Sequence, residues 1–232
     1  DADQDLYWLG STIARGSGPG GQVFPSAGRM LRGNGAGEFQ DITVRAHLLD
    51  ILGVNYKELE AGVPNRNAMA LKIDPRFHEN GKGLAHGDLD GDGYVDLIGT
   101  NSSGDEWRGS VETISPAKGP IFIWMNGGGD NRWINLRLRG RMAIDGSGSN
   151  ADGIGARVYI KTKSNIEDQM HLQVFEVQAG SSYLSMHSLD LEVGLGTATE
   201  VAEINIFWPS GIVQTLKNIQ SNQTLQIVEP KE

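Results

Sequence analysis

The sequence predicts an all-β chain in two parts, with one short inserted helix. Three observations carry this expectation. An acidic, glycine-rich loop at Asp88–Asp96 lies between stretches that read as short strands, and the end of its pattern recurs near residue 1. From about Arg132 onward, apolar and polar residues alternate in about seven short runs divided by turn residues, the signature of an antiparallel β-sandwich. Glycine fills 32 of 232 positions, roughly twice the usual fraction of about 7%. It has no three-residue period, so tight turns account for it and collagen does not. The division falls at residues 129 and 130, with blade-like repeat units over 1–129 and the sandwich over 130–232.

Within the first part, Asp5-Leu6 aligns with Asp96-Leu97, which sets Asp1 on Asp92. At nearly the same offset, Met30-Leu31-Arg32-Gly33-Asn34-Gly35 aligns with the stretch running into Asn126-Gly127. Each copy runs a hydrophobic strand into an Asn-Gly turn, as an internal repeat does. Gly16-Ser17-Gly18-Pro19-Gly20-Gly21 is not followed by Gly-Lys-Ser/Thr, so a long loop explains it better than a phosphate cradle. Phe39-Gln40-Asp41-Ile42-Thr43 reads as a closing strand. Leu48, Leu49, Ile51 and Leu52 recur at near-helical spacing and predict a helix over 46–60, ended by Gly62 and Pro64. This insertion either packs on a blade edge or docks a partner. Met69, Leu71 and Ile73 alternate as a strand leading to the acidic loop. Residues 101–119 form a polar loop holding Trp107.

The loop itself carries the chemistry. Asp88, Asp90, Asp92 and Asp96 fall at relative positions 1, 3, 5 and 9. Four carboxylates this close repel one another unless a cation intervenes. Calcium takes six to eight oxygen ligands, and a loop presenting oxygens at alternate positions wraps around it. Position 7 is Tyr94, whose carbonyl serves as the backbone ligand. Gly93 stands at position 6, where the chain turns sharply. Position 12 is Gly99, so the bidentate glutamate of a helix-loop-helix site is missing. Val95, Leu97 and Ile98 continue as a strand. The expectation is one calcium ion held by Asp88, Asp90, Asp92, Asp96 and the Tyr94 carbonyl, set between strands. An acidic solvated turn is the plain alternative.

In the second part, the alternating sets are Ile134/Leu136/Leu138, Ala156/Val158/Ile160, Leu172/Val174/Val177, Leu191/Val193/Leu195 and Ile204/Ile206/Trp208. Residues 212–216 and 225–228 complete them. Pro209-Ser210-Gly211 is a turn, because Pro fixes φ and Gly permits a positive one.

Hydrophobic content of 38% supports a packed core, and charged content of 21% argues against wholesale disorder. The net charge of −9 disfavours nucleic acid and suits cation binding. No apolar run approaches the roughly 20 residues of a membrane helix. Cysteine is absent, which excludes disulfides, zinc-thiolate sites and a cysteine nucleophile. Calcium loops without the bidentate glutamate are expected to be weak, and extracellular modules work at about 10⁻⁴–10⁻³ M. The protein is therefore expected to be exported, extracellular or periplasmic.

Two resemblances add to this reading. Gly87-Asp88-Leu89-Asp90-Gly91-Asp92-Gly93-Tyr94-Val95-Asp96-Leu97 resembles the FG-GAP/VCBS repeat, which forms calcium-binding blades of integrin-like β-propellers. The Gly-x-Gly-x-Phe-x-Asp-x-Thr ending at Gly35–Thr43 is similar to the same family. The first copy lacks the front of its loop, so the resemblance implies further blades before residue 1 or a partner that replaces them. Over roughly residues 130–230, four segments in order resemble the ASPIC/UnbV domain: Ser149–Val158, Gly180–Ser185, Val193–Gly196 and Trp208–Gly211. That domain closes secreted proteins of the cartilage acidic protein type and many bacterial exported proteins. Ala151 stands where a basic residue is common, and Asp145–Gly148 reads as extra length.

Candidate catalytic groups are Glu176, His187 and Asp190, with Ser185 near His187, but no Gly-x-Ser-x-Gly elbow exists. His86, two residues before the loop, is expected to hydrogen-bond a loop carboxylate. Trp107, Trp124, Trp133 and Trp208 are candidates for sugar stacking, although Trp124 and Trp208 lie in strand patterns. The function expected is a non-catalytic, calcium-binding scaffold or adhesion module whose partner is another protein or further blades of the same polypeptide. A structural subunit of a larger exported assembly and a carbohydrate-binding or carbohydrate-active protein remain as alternatives.

Overall fold

The computed structural model describes residues 3–15, 22–26, 28–48, 81–101, 121–163 and 170–231. The strand expected at Met69–Ile73, the glycine-rich stretch 16–21 and Trp107 lie outside these residues. So does the helix expected over 46–60, apart from residues 46–48, where Ala46 N donates to Ile42 O, His47 N to Val44 O and Leu48 N to Thr43 O.

The regular structure of the described residues is nearly all β: 51% strand and 3% helix. In the first part the strands are Leu6–Trp8 (β1), Ser11–Arg15 (β2), Gln22–Ser26 (β3), Arg29–Gly33 (β4), Phe39–Asp41 (β5), Gly81–Gly87 (β6), Asp96–Asn101 (β7) and Ile121–Trp124 (β8). They form two three-stranded antiparallel sheets, ordered β1-β4-β5 and β6-β7-β8, and a β2-β3 pair. The two sequence copies share one contact, between their aspartate and the segment that runs into the Asn-Gly turn. Asp5 Oδ1 accepts from Gly33 N, as Asp96 Oδ1 accepts from Asn126 N. In the first copy, Asp41 accepts from the Thr43 amide and hydroxyl, and Thr43 Oγ1 accepts from Met30 N. Thr43 is thereby satisfied although buried. The sheets meet where Tyr7 sets its ring edge on Trp124 and where Gly81 N donates to Gly10 O.

The second part holds Arg132–Arg139 (β9), Met142–Asp145 (α1), Arg157–Lys163 (β10), Met170–Glu176 (β11), Leu191–Gly196 (β12), Glu200–Phe207 (β13), Val213–Gln220 (β14) and Gln223–Val228 (β15). Two sheets, β11-β10-β13-β14 and β12-β9-β15, enclose the core. Ile134, Leu136, Val158, Ile160, Val193, Ile204 and Ile206 are buried within it. These are the alternating positions of the sequence, because successive side chains on a strand face opposite sides. Every pair in the sandwich is antiparallel except β15, which lies parallel to β9. The chain changes sheets at Ser221-Asn222, where Asn222 takes a φ of 58° and exchanges hydrogen bonds with the Trp133 backbone. Each of these sheets lies wholly on one side of Gly129.

The helix α1 was not expected. It closes at Gly146 with φ 77°, and Arg141 pairs with Asp145 one turn on. The Arg141 guanidinium and the Ser147 hydroxyl hold the Asp145 carboxyl well below its usual range. No helix among the described residues is long and apolar enough to cross a membrane.

Candidate metal site

The acidic loop leaves β6 at Gly87 and enters β7 at Asp96. Its turns are built from side chain to backbone. Gly91 N and Gly93 N donate to the two oxygens of Asp88, and Asp92 N donates to Asp90 Oδ1. Gly91 and Gly93 take φ of 80° and 89°, a conformation that a side chain resists. Asp96, 1% exposed, accepts from Leu89 N and Asn126 N and ties the loop to the end of β8.

This arrangement brings carboxylate oxygens of Asp88, Asp90 and Asp96 within 4.8 Å of one another. Asp92 stands outside that set, and its Oδ1 accepts from Tyr94 N. The Tyr94 hydroxyl donates towards Gly129 O and Asn131 O, fixing the residue against the start of the second part. The donor set is all oxygen, without nitrogen or sulfur, which suits calcium or magnesium over softer metals. Asp88, Asp90 and Asp96 would hold such an ion, and its charge would neutralise their mutual repulsion.

The loop lies on the outer face of β9 and β12. Asn135 and Glu192 are directly paired across those strands, so their side chains share that face. Asn135 Nδ2 donates to Asp88 Oδ2 at 3.0 Å, from 47 residues away. Asn135 is 3% exposed, and its Oδ1 has no hydrogen-bond partner among the described residues. A Cβ on Gly93 would meet the Trp133 ring at 1.8 Å, and one on Gly87 would meet Ser188 at 3.3 Å. Trp133 thus serves as the loop's bed. Trp124 stacks on Phe122, and Trp208 is buried with its indole N–H on Gln214.

His86 does not reach a loop carboxylate. Its Nδ1 lies 3.3 Å from Glu192 Oε2, and its ring stacks on His187 with centroids 3.9 Å apart. His86 N donates to His187 Nδ1, which needs a neutral, accepting ring nitrogen there. Burial and the neighbouring His86 push the His187 pKa down, against the pull of Glu192. The remaining acid-base candidates are held by other partners: Glu176 by Arg157, and Asp190 by a two-pronged contact with Arg137. Ser185 Oγ accepts from Leu84 N and donates to Tyr183 O, so it is not paired with His187 as a nucleophile would be.

Two residues escaped the sequence reading. Asn135 sits at an outward position of an alternating strand, which reads as solvent-facing. Glu229, just after β15, is fully buried. It accepts from Ser149 N, Ser149 Oγ, Arg141 N and Ser210 Oγ. Burial raises its pKa, but the Ser210 hydroxyl together with the Arg141 and Ser149 donors carries it below the ordinary value. Ser149 and Ser210 belong to separate motifs of the sequence, and Glu229 gathers both.

Searches of curated proteins and of solved structures return no match. Residues 146–232, which contain Ser149, Ser210 and Glu229, match the family model described as ASPIC and UnbV.

Proposed function

We propose that the protein is an exported, non-catalytic binding or scaffold module that acts in protein interaction or adhesion and is stiffened by calcium. In this reading, residues 1–129 are FG-GAP/VCBS-like blade repeats and residues 130–232 form the ASPIC/UnbV-like sandwich. One calcium ion is held by Asp88, Asp90, Asp92, the Tyr94 carbonyl and Asp96. The observation that carries the reading is the convergence of Asp88, Asp90 and Asp96 on a loop that leads directly into β7. An ion there has a structural role, because Asp96 and Asp88 also hold the backbone that enters and leaves the loop. A catalytic role would need groups gathered at an open cleft. Glu176, His187, Asp190 and Ser185 are instead engaged by separate neighbours.

The partner is another protein or further blades of the same polypeptide. Supporting this, β8 is an outer strand of its sheet among the described residues, and Ile121 and Ile123 on it and Met125 just after it expose their side chains. An apolar outer strand of this kind is a surface that another chain or blade covers. The same observation favours, as a second reading, a structural subunit of a larger exported assembly.

Calorimetric titration with calcium and with magnesium tests the proposal, alongside thermal melts in calcium and in chelator. The expected result is a single calcium site and a melting temperature that rises with calcium. Heats absent at millimolar calcium, or a melt indifferent to chelation, would refute the metal reading. Light scattering on native material then separates the isolated module from the assembly subunit.

A further inference from the structure

The candidate site has a neighbour that its loop does not supply. Asn135 lies on β9, in the second part, and its side chain points into the acidic cluster, with Nδ2 3.0 Å from Asp88 Oδ2. It is 3% exposed and its Oδ1 has no hydrogen-bond partner among the described residues. A buried amide oxygen without a partner is costly, and native structures rarely leave one. Half of the amide is thus used by the cluster and half is spare.

We infer that Asn135 is a calcium ligand: its amide oxygen completes the site from the sandwich side, so that the ion bridges the two parts of the chain. This rests on the calcium reading above. Without the ion, the amide presents its N–H to the Asp88 carboxylate. With the ion, the Asp88 lone pairs turn to the metal and the N–H is no longer needed. Rotation of the amide by half a turn exchanges nitrogen and oxygen at nearly fixed positions. It therefore brings Oδ1 to where Nδ2 stands, beside Asp88 Oδ2, and turns Nδ2 to the side Oδ1 now takes. On that face Glu192 Oε1, directly across the strand pair, is also a buried acceptor without a partner among the described residues. Amide carbonyls of Asn are ordinary calcium ligands, and the ion's six to eight places exceed what the loop carboxylates fill singly. Lysine or arginine at this position would repel the ion, and a leucine would leave Asp88 Oδ2 with Gly93 N alone as donor.

The surrounding face supports a bridge over a free loop. Gly93 rests on Trp133, and the Tyr94 hydroxyl reaches Gly129 O and Asn131 O, so the loop is already seated on β9 and its approach. The ion would fasten a contact that geometry has prepared.

The test uses terbium as a luminescent calcium substitute on the intact chain, with Trp133 as the sensitiser beside the loop. Lifetimes in light and heavy water count the waters left on the bound ion. Asn135→Ala is expected to gain about one bound water, as one protein oxygen is lost from the shell. Its calcium affinity is expected to fall about tenfold or more, the scale seen when groups supporting a metal are removed. Asn135→Asp keeps an oxygen and loses the N–H. It is expected to retain the wild-type hydration number and its melting temperature in calcium, and to melt lower in chelator, where two carboxylates then face each other.

If Asn135→Ala keeps both the wild-type water count and the wild-type calcium affinity, the amide is not a ligand and the inference falls while the calcium reading stands. If wild type binds no calcium, both fall. If Asn135→Ala does not fold, Asn135→Asp decides. An Asp variant that melts low in calcium and chelator alike shows that only the N–H mattered, which overturns the inference.

Discussion

Gly93 lies flat against the indole of Trp133: a Cβ added to it would sit 1.8 Å from Cε2. The Gly93 turn of the acidic loop and the first strand of the sandwich are therefore a single packed contact. Gly91, two residues earlier, has almost the same φ but nothing within 4 Å of its added Cβ. The two glycines separate the cost of the turn from the cost of losing the seat.

Gly91→Ala is expected to cost about 1–2 kcal/mol, the penalty of a side chain in the left-handed region. Gly93→Ala carries the same penalty plus the overlap with the ring, which adds about 1–3 kcal/mol. Urea denaturation of both variants measures the difference. Equal losses would mean that the indole moves aside freely and that the loop is not seated on it.

Asp90→Ala removes an exposed carboxylate that, among the described residues, holds only Asp92 N. In chelator its effect should stay within about 1 kcal/mol. In calcium at 100-fold above Kd, it should forfeit about 2.7 kcal/mol of ligand-linked stability. Melts of wild type and variant, each in calcium and in chelator, read this as an interaction between mutation and metal.

Glu229 gives a stability that depends on pH. Its folded pKa is depressed below the ordinary value because Ser210, Arg141 and Ser149 donate to the charged carboxylate against the cost of burial. A group depressed on folding contributes in full above its unfolded pKa, and the contribution fades as pH falls through the folded one. Glu229→Gln should destabilise by about 1.5–3 kcal/mol at pH 7, the scale of hydrogen bonds to a buried charge. Its stability curve should approach that of wild type as pH is lowered through the carboxylate range. Parallel curves at every pH would show that the charge is not what the four donors hold.

Arg137→Ala is the contrast, on the outer face of β9. Its guanidinium grips Asp190 in two-pronged fashion, yet its side chain is 56% exposed. Solvent screens such pairs, so the loss should not exceed about 1 kcal/mol. Denaturation in low and high salt checks it, and the small loss should shrink further in salt.

The legible and illegible parts of this chain differ in range. Ile134, Leu136 and Leu138 announced β9 because strand alternation is local, and the same held for each strand of the sandwich. Alternation says which face a residue takes, not which strand will lie beside it. Nothing near Leu225–Val228 therefore indicated that β15 would run parallel to β9. The spacing of Asp88, Asp90 and Asp96 announced a cluster, because loop residues this close in sequence converge through their own turns. Asn135 and Glu229 were opaque for the opposite reason. Each is polar at a place that looks solvent-facing, and each is buried by a segment far away in sequence. Helix α1, four residues long, was too short to show a period. The ASPIC/UnbV resemblance was read from short motifs, and the family match falls on the region that contains them.

The parallel placement of β15 has a consequence for how the chain is made. β9 sits in the middle of its sheet, between β12 and β15. The contact between Trp133 and Asn222 that opens this pairing spans 89 residues. A nascent chain therefore emerges with β9 unable to complete its sheet until nearly a hundred further residues, about twenty per second at most, have been polymerised. For those seconds a strand rich in Ile and Leu presents an open edge, the kind of surface that recruits foreign strands. High contact order slows the closure further once the last strand arrives. The parallel pairing of β15 thus leaves one side of β9 open until β15 itself has been made.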